Sequence, residues 1–198
     1  MVGELKEPRR RDAVATRAAI LRSARRAFAE TGYDGAGVRA IAQGAGVTAM
    51  LVNRYFGSKE QLFAEVVANS MADPVILSPE NIASSTIGRD FAAALVGLTG
   101  AGEHPLDGFL ILFRSASSPV AARIAREQIE AIHQAAAAGA VRGDQAPQRA
   151  ALMLSLVAGV QMMRQMIGLS ALTEVDPDAL VALLAPLFQQ LLAPGERR

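Results

Sequence analysis

The chain has 198 residues, 51% apolar but only 5% aromatic, with two His and neither Cys nor Trp; the length allows a large core built from Ala, Leu, Val, Ile and Met, a palette that favours helix over sheet. Missing cysteine excludes disulfides and thiolate metal sites, and His104 and His133 are too few and too far apart to make a metal centre, so no metal or other cofactor is expected. Formal net charge is +1, yet residues 1–70 hold 11 Lys/Arg against 7 Asp/Glu and the remainder 9 against 12, as expected of a polyanion-binding module joined to a second, mildly acidic part.

Residues 1–11 are polar and end in Arg9-Arg10-Arg11. They read as a flexible basic tail, not a signal peptide, with phosphate or minor-groove contacts open to it. From Asp12 to Thr31, Leu21, Ala24, Ala27 and Phe28 recur at three- and four-residue spacing, which predicts an amphipathic helix. Gly32 is placed to end it, and Tyr33-Asp34-Gly35 reads as loop.

Two short helices come next, Val38–Gly44 and Thr48–Arg54, joined by Ala45-Gly46-Val47. Ile41 and Ala42 are the buried residues of the first, and Gly46 supplies the left-handed turn that ends it. Thr48 is a natural N-cap for the second, with Val52 and Phe56 buried and Ala49, Met50, Asn53 and Arg54 exposed. Two helices joined by a three-residue turn containing Gly make a helix-turn-helix. The second is a rod of about 10 Å, short enough to enter a major groove end-on. Ser58 and Gln61 form a capping box for a helix reaching about Met71.

Residues 72–85, with Pro74, Ser78, Pro79 and Asn81, read as a linker. Beyond it, helices are expected near 88–98, 105–116, 119–138, 145–168 and 177–192. That makes about nine helices in an all-α chain, divided into a helix-turn-helix domain (12–57), a connecting helix (58–72) and a C-terminal domain (73–198). The longest apolar run, Ala150–Val160, has 11 residues, too short to span a bilayer. No membrane partner is expected, and the expected location is the cytoplasm. The use of 18 Arg against 2 Lys hints at a GC-rich bacterial genome.

The stretch Val38–Leu62 resembles the DNA-binding domain of the TetR/AcrR family of bacterial repressors. The resemblance rests on Ile41-Ala42, Ala45-Gly46-Val47, Thr48, Tyr55-Phe56 and Ser58-Lys59-Glu60-Gln61-Leu62, with Phe28-Ala29-Glu30-Thr31-Gly32-Tyr33 upstream, and covers about residues 15–65. It implies a homodimer on a palindromic double-stranded operator, released by a small-molecule effector of unknown identity. It also implies roles for single residues. Arg39 would reach a base edge or phosphate, and Thr48 a phosphate. Ala49, Met50, Leu51 and Asn53 would face the bases, and Tyr55 and Lys59 would hold the backbone. Arg54 is either a further DNA contact or solvated surface. Three positions depart from the family: Gly37 in place of a Ser/Thr cap, Asn53 in place of a common Tyr, and Leu51 in place of a small residue. Asn53 suits bidentate contact to adenine.

In the C-terminal part, Phe109, Phe113, Met153, Val157, Met162 and Met166 are candidate effector contacts, with Arg114, His133, Gln161 and Arg164 as their polar complement. Arg164 interrupts an apolar helix and must find a ligand carboxylate, an acidic residue or a helix end. Residues 177–192 are apolar over more than one face, and Leu180, Leu184, Leu187, Phe188 and Leu191 are the expected dimer contacts. No nucleophile–base pair, metal set or phosphate loop points to an enzyme. The alternative to an effector-responsive repressor is an architectural DNA binder without a ligand.

Overall fold

A computed structural model describes residues 7–72, 75–100, 107–141 and 143–192. Among them there are eleven helices and no strand, counting π-helical turns with the α-helices they continue. They are α1 (Glu7–Gly35), α2 (Val38–Gly44), α3 (Ala49–Phe56), α4 (Lys59–Ser70), α5 (Pro79–Ala83), α6 (Ile87–Leu98) and α7 (Asp107–Ser115). Next, α8 (Pro119–Ile129) runs through a π-helical stretch, Glu130–Gln134, into α9 (Ala135–Ala140). Then α10 (Ala146–Gln161) runs through a second, Met162–Ile167, before α11 (Ser170–Thr173) and α12 (Pro177–Leu192). The nine expected helices are all present. The two additions are short: α5 lies inside the expected linker, where Ser78 caps it and Pro79 opens it, and α11 packs on the second π-helical stretch.

The first helix starts at Glu7, five residues before the expected Asp12; residues 1–6 of the basic tail lie outside the described residues. Gly32 does leave helical geometry (φ 69°, ψ −177°). The residues after it, expected as loop, form one more helical turn instead. The cause is Tyr33, whose ring turns into the core 5.0 Å from Phe63 and 6.2 Å from Phe28.

The chain divides into two compact units. One comprises Met1–Ser70 and Leu106–Gln128, the other Met71–Pro105 and Ile129–Arg198. Residues 107–128, expected within the C-terminal domain, therefore belong with the helix-turn-helix, because α7 packs along α1 and α4. The core of this unit is Ile20, Ala24, Phe28, Tyr33, Ile41, Leu62, Phe63 and Val66, joined by Ile111 and Ile124.

In the second unit α6 and α12 form the most extensive pair. A Cβ on Gly88 would lie 2.7 Å from the Ala185 carbonyl oxygen and 2.8 Å from the Gln189 Cβ. Only glycine permits this approach, which brings Phe91 edge-on to Phe188 at 6.2 Å. Leu180, Leu184 and Phe188 are consequently buried with Phe91, Leu95 and Met153. That corrects their assignment as dimer contacts. The outward positions of α12 are Leu183 and Leu187, 67% and 46% exposed, with Leu191 half-buried.

The helix Ala146–Ile167 is 22 residues long and holds an 18-residue window of mean hydropathy 1.4, enough by length and composition alone to cross a membrane, a test that the core helix of a soluble protein also passes. The apolar run itself stays at Ala150–Val160, and the helix continues past it only through the polar Gln161, Arg164 and Gln165, of which Arg164 is buried.

Candidate nucleic-acid interface

Local chemistry builds the helix-turn-helix. At the end of α2, the Gly46 N–H donates to the Gln43 carbonyl (3.1 Å) and the Val47 N–H to that of Ala42 (2.9 Å). This is a Schellman closure, with Gly46 at φ 69°. Buried Ser23 on α1 donates to the Ile41 carbonyl at 2.8 Å, tying α2 to the long helix. Thr48 then caps α3, its Oγ1 accepting from the Leu51 N–H at 3.3 Å. The hydroxyl proton remains free to donate, and the residue is exposed.

Val52 and Phe56 are buried, as the pattern predicts, and they fix the rotation of α3. Arg17 of α1 lies over the Phe56 ring at 5.0 Å and pairs with Glu65 of α4 at 2.6 Å, joining three helices at one point. With that rotation set, Met50, Asn53 and Arg54 face solvent, and Ala49, Leu51 and Tyr55 are half-buried. Met50 is 82% exposed, the most exposed of the large hydrophobic side chains described. Arg39 on α2 is exposed as well. The sequence does not reveal the role of Gly57: its φ of 76° ends α3, and a Cβ there would collide with the Gln61 side chain.

Ser58 accepts from the Gln61 N–H at 3.1 Å, so one half of the expected capping box forms. The Ser58 N–H is taken by the Phe56 carbonyl at 2.9 Å, not by the Gln61 side chain. Lys59, in the first turn of α4, holds its Nζ 4.4 Å above the Tyr33 ring, a cation–π contact that localises the charge. Burial, helped by Glu60 and Asp34, pushes the Tyr33 hydroxyl above its usual range, so the phenol stays neutral beneath that ammonium.

The Tyr33 turn is anchored by the end of α7 and by the short turn between α7 and α8. Arg114 donates to the Ala29 and Glu30 carbonyls, Ser115 accepts from the Tyr33 N–H at 2.9 Å, and Ser118 donates to Asp34 at 3.1 Å. Arg114 is thus a cap on the first segment of α1, a use that sequence spacing cannot show.

Two family models match the chain: one described as bacterial regulatory proteins, tetR family, over residues 20–66, and one as the tetracyclin repressor-like C-terminal domain, over residues 85–192. The chain belongs to the TetR family. It is similar to a TetR-family regulator of Streptomyces coelicolor A3, at 25% identity over 90% of this chain and 95% of that one (TM-score 0.59). The fold is shared with GusR of Salmonella enterica, at 18% identity over 96% of this chain and 99% of that one (TM-score 0.71), and with the multidrug binding protein EbrR, at 18% over 87% and 99% (TM-score 0.59). No curated protein matches in sequence. TetR-family regulators are generally non-enzymatic transcription factors, and the family fold supports a DNA-binding transcriptional regulator.

The candidate effector contacts fall in both compact units. Phe109 and Phe113 stack at 6.1 Å, and with Arg114 they belong to the first unit. In the second, Met153 is enclosed in the core, while Val157, Gln161, Met162 and Met166 are half-buried. Arg164 is buried and finds helix ends. Its Nε donates to the Leu172 carbonyl at 2.9 Å, and its Nη1 to the Val96 carbonyl at 3.0 Å and to Thr99 Oγ1. Burial lowers its pKa, and the carbonyl ends of α6 and α11 supply the compensating negative potential. Among the described residues of this unit, two side-chain polar atoms are buried without a partner: His133 Nε2 and Gln165 Oε1. His133 lies in one π-helical stretch and Gln165, absent from the sequence-based candidates, in the other.

Proposed function

We propose that this TetR-family protein represses transcription as a homodimer on a palindromic operator and leaves it when a small hydrophobic or amphipathic effector binds. The observation that carries the reading is the seating of α3. Val52 and Phe56 lock its inner face, Thr48 caps its start, and Met50, Asn53 and Arg54 stand outward where base edges would lie. Asn53 is the adenine reader, Met50 and Leu51 meet thymine methyls, and Arg39 adds a contact from α2. Thr48, Tyr55 and Lys59 hold phosphates and set the register.

The dimer is supported by apolar surface without cover. Leu152 and Ile167 are 58% and 65% exposed, and together with Met163 they fall along one stripe of the helix Ala146–Ile167. Leu183 and Leu187 do the same on α12. Two such helices from each subunit form a four-helix bundle. Twofold symmetry then presents α3 to successive major grooves about 34–36 Å apart, which demands a palindromic site. Such a regulator works in the bacterial cytoplasm.

The effector reading is supported by the unpartnered His133 and Gln165 atoms, since a buried polar group without a partner costs about 1–3 kcal/mol that a ligand can recover. Both lie in π-helical turns, a geometry frequent at functional sites. EbrR, which shares the fold, was solved with proflavin. Release requires that the effector bind the non-DNA-binding arrangement more tightly than the DNA-binding one. The test is a fluorescence anisotropy titration of the protein with DNA from upstream of its own gene against scrambled DNA at moderate salt. Tighter binding to the upstream DNA supports the reading; equal affinity overturns it.

A further inference from the structure

We infer that Met50 is an oxidant-sensitive switch in the reading head: its conversion to the sulfoxide by a peroxide or hypochlorous acid weakens operator binding. This rests on the proposal that α3 meets the bases. Seven methionines are present and no cysteine, so thioether sulfur is the principal sulfur target for an oxidant. Among the described methionines Met50 stands apart at 82% exposed. Met163 is 38% exposed, Met71 and Met153 are buried, and Met162 and Met166 half-buried. Exposure governs the rate of thioether oxidation, so Met50 reacts first among them.

The chemistry balances in one step. A sulfur lone pair attacks a peroxide oxygen, the O–O bond breaks, and that oxygen stays on sulfur while the remainder leaves with a proton as water; with hypochlorous acid the Cl–O bond breaks instead, oxygen ends on sulfur, and chloride and a proton leave. Sulfur loses two electrons and the peroxide gains them. The flexible apolar tip becomes a polar group with a strong acceptor oxygen. On α3 this has a specific consequence. The major groove presents mostly acceptors, the N7 and O6 atoms of purines and O4 of thymine, beside the thymine methyl. A sulfoxide oxygen placed there is repelled by the acceptors and loses the methyl contact. A homodimer carries the lesion in both half-sites. Thiol-dependent sulfoxide reduction restores the thioether, so the change is reversible. Bound operator covers Met50, which makes the DNA-free protein the oxidant-sensitive form.

The test uses full-length wild type, Met50→Leu and Met163→Leu, each titrated with upstream operator DNA before and after graded hydrogen peroxide or hypochlorite and compared with its own untreated form. Peptide mass spectrometry tracks oxygen uptake at each methionine. Wild type and Met163→Leu are expected to lose at least tenfold in affinity in step with the Met50 sulfoxide fraction, and to recover it with methionine sulfoxide reductase and dithiothreitol. Met50→Leu is expected to change less than threefold on the same treatment. Wild type that binds undiminished with Met50 fully converted overturns the switch, as does Met50→Leu losing affinity in parallel with wild type. If Met50→Leu binds too weakly to titrate, the wild-type correlation and its reversal decide alone. Failure of the untreated wild type to prefer operator shows before any oxidant is added, and counts against the reading of α3 itself.

Discussion

Gly32→Ala tests the joint on which the unit holding the helix-turn-helix is built. At φ 69° and ψ −177° the residue occupies a region essentially reserved for glycine, where a side chain costs about 1–3 kcal/mol. The new Cβ would also be driven into the Arg114 carbonyl, its carbon only 2.9 Å away. Both atoms belong to backbone, so relief requires α7 to shift along α1, and overpacking of this kind costs about 1–3 kcal/mol. The two effects together predict a loss of about 2–6 kcal/mol, a large fraction of the stability of a typical domain. Urea unfolding monitored by circular dichroism measures it. Gly37→Ser is the control: Gly37 caps α2 with nothing within 4 Å of a Cβ, so serine should match or exceed wild type by a few tenths of a kcal/mol, roughly the Gly-to-Ser difference at an N-cap. A Gly32→Ala variant within about 1 kcal/mol of wild type would refute the kinked joint between α1 and α7.

The second unit supplies three further tests. Arg164→Met leaves the Val96, Thr99 and Leu172 oxygens without a charged donor and should lower stability by about 2–4 kcal/mol, read as a shift in urea midpoint; an unchanged midpoint would mean those bonds contribute nothing. Leu183→Glu with Leu187→Glu places two charges on the face assigned to the dimer, and light scattering should show the subunit mass in place of twice that mass. Burial lowers the His133 pKa, so the folded chain prefers the neutral ring. Above the unfolded value of about 6.5 both states are neutral and pH has no effect through this residue. As pH falls below it, the unfolded chain takes the proton first and stability drops. His133→Gln should remove that part of the acid slope, and an identical slope would place the imidazole in solvent.

The helix-turn-helix was legible because its determinants are local. Gly46, Thr48, Val52 and Phe56 act within a few residues of themselves, and the closure, cap and buried face appear where spacing placed them. The determinants of the second half are not local. The apolar excess of α12 does not say which of its faces the rest of its own chain covers. Gly88 decides it by letting α6 close over Leu180, Leu184 and Phe188, leaving Leu183 and Leu187 outside. Likewise Arg114 and Arg164 read as polar groups in want of partners, and their partners are carbonyls at helix ends 85 and 68 residues away in sequence. Tyr33 reads as loop in the sequence because nothing nearby shows that Phe28 and Phe63 converge on its ring.

Base reading by the outward side chains of α3 is measured most directly by the binding of wild type and Asn53→Ala to a randomised operator library. Asn53→Ala is expected to cost about 1–3 kcal/mol and to relax the preference at one symmetric pair of base positions, leaving the others intact. An unchanged preference at every position would contradict it.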